Sequence, residues 1–142
     1  QRQMCIRDRS NYIDRQRGSL LGLYKTTVDG MFEEQSAPQT MGDRQGLRQL
    51  TLDNNSTKLQ ITTEGMVAFS LSHYDDAQFN YDVFYGGKHP YDLVRSNQIF
   101  AHFDFWQRGI GNRSCGGDSC LPQYMTPTGA HEFTLRFTPM AK

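Results

Sequence analysis

The chain has 142 residues, room for a single domain or a piece of one and too little for a whole multidomain enzyme. Apolar residues make up 37 % and the 9 Phe, 7 Tyr and single Trp supply large burial areas, which excludes a disordered chain and points to an aromatic-rich core. With 15 basic and 15 acidic residues there is no net field to gather nucleic acid, and the longest apolar run, Met66 to Phe69, is far too short to span a bilayer.

Residues 1 to about 9 (Gln1-Arg2-Gln3-Met4-Cys5-Ile6-Arg7-Asp8-Arg9) lack the apolar segment and cleavage site of a signal peptide. They resemble the translation of a sequencing adapter. Residues 1–10 are therefore expected to be a non-native or disordered start that packs against nothing, followed by a domain over 11–142 whose own N-terminal part is missing. Setting Cys5 aside leaves Cys115 and Cys120.

From Gly30 to Gly46 no period is evident, and Pro38, Gly42 and Gly46 suggest a long, wandering connection. Leu47–Leu52 and Leu59–Thr62 read as strands separated by the turn-rich Asp53-Asn54-Asn55-Ser56. In Met66–Ser72 the alternation places Val67, Phe69 and Leu71 on one face, the mark of a half-buried strand. Asp75, with Gln78 three residues on, predicts a capping box and a short helix ending before Gly86-Gly87. Ile99–Trp106 alternates with large residues on both sides, so both faces of that strand are expected to be covered. Phe133–Phe137 is the last strand. Strands joined by loops, with at most one or two short helices, predict an all-β, antiparallel sandwich.

Gln107–Pro122 is the densest feature, with four glycines and both remaining cysteines. A phosphate cradle is disfavoured, because no Lys-Ser/Thr and no helix follow the glycines. Cys115 and Cys120 have no His or further Cys at a spacing that completes a zinc shell, and no metal site is expected; a disulfide between them and two thiols remain equally open. His73, His89, His102 and His131 fall on different elements and read as structural. Glu33-Glu34 and Asp75-Asp76 read as solvated pairs, and no Gly-x-Ser-x-Gly context supports a nucleophilic serine. Trp106 and Tyr124 flank the loop and are the candidates for a sugar-facing ring, with core or interface packing as the plainer reading. On its residues alone the chain is not a self-sufficient enzyme.

Five ordered landmarks carry a resemblance: Asn11-Tyr12-Ile13-Asp14-Arg15, Pro38-Gln39-Thr40-Met41-Gly42-Asp43-Arg44, Leu47-Arg48-Gln49-Leu50, Phe69-Ser70-Leu71-Ser72-His73-Tyr74 and Gly109-Ile110-Gly111. In order and spacing they resemble the C-terminal domain of β-galactosidases of glycoside hydrolase family 2, with Phe133–Met140 as the family's last strand. The resemblance implies part of a galactose mutarotase-like supersandwich, the last domain of a retaining enzyme that removes terminal β-D-galactose. It places both catalytic glutamates, magnesium and any sodium in a missing barrel domain, so no catalytic residue and no cofactor is expected on this chain. The implied partners are that barrel, a β-galactoside at the loop and further copies of the full-length protein; nucleic acid and membrane are not. A bacterial periplasmic or secreted location is expected.

Family members carry a sugar-stacking tryptophan after the Gly-Ile-Gly landmark. Here ungapped counting puts Gly116 at that place, and matching the Gly-Gly-Asp-Ser wording puts Cys120 there. Neither is aromatic, which opens a preference for a different linkage or a larger aglycone. Arg113 and Asp118 complete the expected substrate rim with Gly116 and Cys120. The alternative from another class is a stand-alone carbohydrate-binding or mutarotase-like protein, which would need a His/Glu pair that the sequence does not display.

Overall fold

The computed structural model describes residues 2–7, 11–18, 20–34, 41–79, 88–110 and 120–141. Its strands are β1 (Arg2–Arg7), β2 (Leu21–Thr26), β3 (Arg44–Asp53), β4 (Lys58–Ser72), β5 (Phe100–Asp104) and β6 (Thr134–Met140). Every pairing is antiparallel, and the fold is all-β as expected. The sheet runs β2-β1-β3-β4-β5, and β6 joins β4 off that path. Helical structure among the described residues is limited to 3-10 turns: Ile13–Gly18, Asp29–Met31, Asp76–Phe79, Pro90–Asp92 and Pro122–Tyr124.

The 15-residue β4 organises the rest. The sequence reads it as two strands, because the apolar period lapses through Thr62-Thr63-Glu64. The backbone instead continues through Gly65, whose φ of +92° a side chain would disfavour. On one edge β4 pairs with β3. On the other, Lys58–Glu64 pairs with β6 and Ala68–Ser72 with β5, so Gly65 marks the change of partner. Register shifts in β3 around Leu47 accompany the bend, and the Thr63 hydroxyl donates to the Leu47 carbonyl at 2.6 Å, giving that irregular stretch a side-chain partner. The β3–β4 turn falls where Asp53-Asn54-Asn55-Ser56 predicts it. Asn54 Oδ1 accepts from the Ser56 and Thr57 amides, and Asn55 takes a φ of +69°.

The core joins Leu47 and Leu50 of β3, Ile61, Val67, Phe69 and Leu71 of β4, and Val28 and Met31 from the 29–31 turn. The predicted face Val67, Phe69, Leu71 is buried, but so are Ala68 and Ser70 opposite, so this half of β4 is covered on both sides. Phe103 of β5 stacks on Phe69 at 6.5 Å between centroids and meets Phe137 of β6 edge-on at 6.3 Å, closing the corner where β5 and β6 share β4.

Three expectations need correction. Residues 2–7, expected to contact nothing, form β1 and pair on both sides, with Arg2–Arg7 opposite Leu21–Thr26 and Arg2–Cys5 opposite Gln49–Leu52. A gap between two strands offers unpaired N–H and C=O groups on both edges, and extended backbone of almost any sequence can satisfy them. The helix predicted from Asp75 is a four-residue 3-10 turn. Asp75 does accept from the Ala77 amide at 2.9 Å, but Gln78 spends both ends of its amide on the Val94 backbone, and no capping box closes; residues 80–87 lie outside the described ones. The strand predicted over Ile99–Trp106 is shorter, and Ala101 and Asp104 are exposed, so its two faces are not both covered.

Phe69 is fully buried and stacks on Phe103, which in turn meets Phe137, so Phe69→Ala should lower unfolding free energy by about 3–5 kcal/mol. Urea denaturation followed by circular dichroism measures it, and an unchanged midpoint would refute this account of the core.

Candidate functional site

The glycine loop leaves β5 and returns through the Pro122–Tyr124 turn. Its two ends are tied by the Gly109 amide, which donates to the Tyr124 carbonyl at 3.0 Å. Gly109 is required here by space: a Cβ would lie 2.7 Å from Asp14 Cγ and 3.0 Å from Tyr124 Cβ. Asp14 comes from the Ile13–Gly18 turn, so the first of the landmark segments braces the last.

A polar network backs this root. The Asn11 amide donates to the Asp43 carbonyl at 3.0 Å, and the Asn11 side-chain oxygen accepts from the Gln45 amide at 3.1 Å. Gln45 Nε2 donates to Asp43 Oδ2 at 2.9 Å and to Gln107 Oε1 at 3.1 Å. The Gln107 amide in turn lies against both carboxyl oxygens of Asp43. Asn11, Asp43 and Arg44 are buried. The Arg44 guanidinium turns back on the Gly42 carbonyl, and Gly42 itself has a φ of +75° with the Met31 carbonyl 2.8 Å from where a Cβ would be.

Burial pushes the Asp43 carboxyl from its ordinary 3.8 up to about 7; the negative charge of Asp104 adds to the rise, while the Gln45 hydrogen bond and Arg44 oppose it. The Tyr12 phenol is pushed up as well, by burial and then by Asp43, Glu33 and Asp14, and stays neutral at physiological pH. Trp106, half-buried beside Gln107, holds its indole Nε1 away from water with no hydrogen-bond partner among the described residues.

Of the expected rim, Cys120 is described: it is half-buried, with Sγ 3.7 Å from the Leu121 carbonyl. Arg113, Gly116, Asp118 and Cys115 lie outside the described residues, and with them the Cys115–Cys120 pairing. Trp106 and Tyr124 are both half-buried and support the root of the loop. The histidines sit apart, each with its own neighbour: His73 Nδ1 on the Gln98 carbonyl, His89 stacked on Tyr91, His102 3.3 Å from Asp76, and His131 stacked on Phe105. Asp75 caps a turn and Asp76 meets His102, which gives both members of that pair structural tasks. Among the described residues no three His, Cys, Asp or Glu side chains converge to hold a metal ion.

Sequence reasoning singles out the segments containing Asn11, Asp43 and Gly109 but misses that they meet, and gives neither Gln45 nor Gln107, the first residue of the loop, a role. Glutamines outside a motif give no signal in one sequence. The arrangement fixes where the loop starts and ends. Asp43 is buried among these partners, and its contacts tie β3 to the root of the loop.

Asp43 has a folded-state pKa above its unfolded value, so its stabilising contribution is complete below about pH 4 and is lost as pH rises toward 7 and the buried carboxyl ionises. The slope limit is about 1.4 kcal/mol per pH unit. Urea midpoints at pH 5 and pH 8 should fall with pH in the wild type and converge in Asp43→Asn; an equal fall in both would refute the assignment. Gly109→Ala should cost about 1–3 kcal/mol by overpacking against Asp14 and Tyr124, read from the same curves.

Comparison with known proteins agrees with the landmarks. The chain is 28 % identical over 130 residues to a β-galactosidase of Actinobacillus pleuropneumoniae, covering 92 % of this chain and 12 % of that one. It is 24 % identical over 132 residues to a β-galactosidase of Vibrio vulnificus, covering 93 % and 12 %, and 26 % identical over 107 residues to one from Staphylococcus xylosus, covering 75 % and 10 %. The chain thus spans about an eighth of the length of the first two relatives, 12 % in each. The family model described as β-galactosidase small chain matches residues 8–138, nearly all of the sequence, and the chain belongs to that family.

Proposed function

We propose that this chain is most of the C-terminal accessory domain of a retaining, glycoside hydrolase family 2 β-galactosidase that releases terminal β-D-galactose, and that its glycine loop forms part of the active-site rim. The observation that carries the reading is the family match together with the convergence of Asn11, Asp14, Asp43 and Gly109 on the root of that loop. A loop so rich in glycine costs conformational entropy to order, and a polar brace at both ends reduces that cost. Arg113, Asp118, Gly116 and Cys120 are the rim residues.

The two carboxyl groups of the double displacement, and the magnesium and any sodium ion, belong to the preceding catalytic domain. Leu20, Leu21 and Leu23 around β2, and Phe137 and Met140 on β6, are exposed, as suits a domain that rests against further polypeptide and against other subunits. The separate placement of the four histidines weighs against a mutarotase-like site, which needs a His/Glu pair in one cleft.

The purified chain should release no nitrophenol from nitrophenyl β-galactoside, whereas the longer parent polypeptide should. In that parent, Asp118→Ala and Arg113→Ala should raise KM with a smaller change in kcat, the pattern of lost substrate binding. Cleavage by the 142-residue chain alone, or an unchanged KM in both variants, would overturn the reading.

A further inference from the structure

Away from the loop root, Phe32, Glu34, Tyr74, Pro90 and Tyr91 line an open cavity of about 530 Å³. That volume falls within the roughly 300–1,000 Å³ of small-molecule sites. Three of the five lining side chains are aromatic, and the one carboxyl belongs to Glu34, which reads from the sequence as a solvated residue. Phe32 and Tyr74 are half-buried, with centroids 5.0 Å apart and planes tilted by 49°. Tyr91 stacks on His89 at 5.0 Å and 17°, so one face of its ring is backed while the residue stays 81 % exposed.

Local contacts hold these rings in place. The Phe32 amide donates to the Asp29 carbonyl at 3.1 Å, and the Tyr74 amide donates to Ser72 Oγ at 2.9 Å. Tyr91 is the middle residue of the Pro90–Asp92 turn, where Pro90 restricts φ and the Asp92 carboxyl accepts from the His89 amide at 2.8 Å. Arg95, three residues beyond that turn, donates to both carboxyl oxygens of Asp29 at 3.0 and 3.1 Å and so ties it to the Asp29–Met31 turn that precedes Phe32. A platform fixed before its ligand arrives loses little entropy on binding.

We propose that this cavity is a carbohydrate subsite, in which the exposed Tyr91 ring takes the C–H face of a pyranose and Glu34 accepts hydrogen bonds from its hydroxyls. An aromatic face is electron-rich and attracts the weakly positive C–H groups of a sugar ring, and carboxyl oxygens are strong acceptors for hydroxyls. Rings with a carboxyl also serve organic cations. An ammonium group, however, is held by rings closed around a small volume, whereas this cavity is open and its most accessible ring is a flat platform backed on one side. Trp106 and Tyr124, the ring candidates of the sequence, are half-buried at the loop root, so Tyr91 is the more accessible surface. Phe32 follows Met31, whose carbonyl lies against Gly42, and Asp43 is next, which keeps the cavity within a few residues of that root. Galactose as the pyranose rests on the proposed β-galactosidase reading; the platform itself does not.

The test titrates the whole, isotopically labelled 142-residue chain with methyl β-D-galactopyranoside and, separately, with tetramethylammonium chloride, followed in nitrogen–proton correlation spectra. The backbone amides of Phe32, Glu34, Tyr74 and Tyr91 should shift saturably with the galactoside. Tyr91→Ala should weaken that binding by about tenfold or more, Tyr91→Phe should retain it within about twofold, and Glu34→Gln should weaken it by about threefold or more. Tyr91 is exposed, so a loss in Tyr91→Ala with the other amide signals in place reads the missing platform and not unfolding. No saturable shift in the wild type overturns the subsite, and that result does not depend on any variant. Tetramethylammonium binding at these amides without galactoside binding overturns it in favour of a cation site, and binding unchanged in Tyr91→Ala overturns the platform. Galactoside shifts confined to residues 107–122 support the rim assignment and overturn the cavity, so the two readings fail separately.

Discussion

One strand has to serve three partners, and most of the architecture follows from how it does so. β4 gives one edge to β3 and divides the other between β6 and β5, with the division at Gly65. A straight strand would carry one neighbour along its whole edge. The positive φ at Gly65 and the register shifts around Leu47 let β4 bend so that β5 and β6 leave in different directions while Phe103 and Phe137 still meet. Phe69 sits on this bend with no exposed surface, which makes it both the centre of the core and the support of β5. The candidate loop leaves from the end of β5, where Asp104 lies opposite Ala68, three residues from Gly65, so the loop starts beside the kink.

The loop root shows how a polar network can be tolerated in such a place. Asn11, Asp43 and Arg44 are buried, and the Asn11 amide and side-chain oxygen, the Asp43 carboxyl and the Arg44 guanidinium each find an amide or carbonyl. Most of these partners lie far apart along the chain, and the bonds tie the first landmark segment to β3 and β3 to the loop. Removing one partner would strand the others, which costs more than the bond itself is worth. The network therefore ties positions together more than it adds stability. The Asp43 carboxyl is its one costly member, as its upward-shifted pKa records.

What was legible in the sequence was whatever depended on period or on local turn chemistry. Val67, Phe69 and Leu71 announce their face, and Asp53-Asn54-Asn55-Ser56 announces its turn, because the reasons are contained within a few residues. The union of two short strands into β4 was not legible, since nothing local tells that Gly65 bends a strand and does not end it. Gln78, three residues after Asp75, misleads for a related reason: its amide pairs with the Val94 backbone, a tertiary contact that overrides a capping pattern. Residues 2–7 misled in the opposite sense, because a strand position defined by β2 and β3 asks for extended backbone and little else. At the site, the landmark segments were visible one by one. That they meet, and that Gln45 and Gln107 join them, depends on pairs too distant in sequence for any spacing rule.

The surface of the sheet bears on how such a domain functions. β2 is the terminal strand of the sheet, and Leu21 and Leu23 alternate on one face of it, more than half exposed, beside Leu20 at 78 %. At the other side of the sheet Phe137 is 53 % exposed even though its ring meets Phe103. Scattered leucines on a surface need no explanation, but alternating ones on an edge strand invite pairing and burial, and a stable independent domain usually blunts such an edge with charge or proline. Lys25 is the one charge at that end of β2's exposed face. Covering these residues would remove apolar surface from water at both margins of the sheet without touching the loop root, which is braced from within by Asn11, Asp14 and Asp43. The apolar margins of the sheet and the polar brace at the loop root rest on different residues, so burial at the one does not set the geometry of the other.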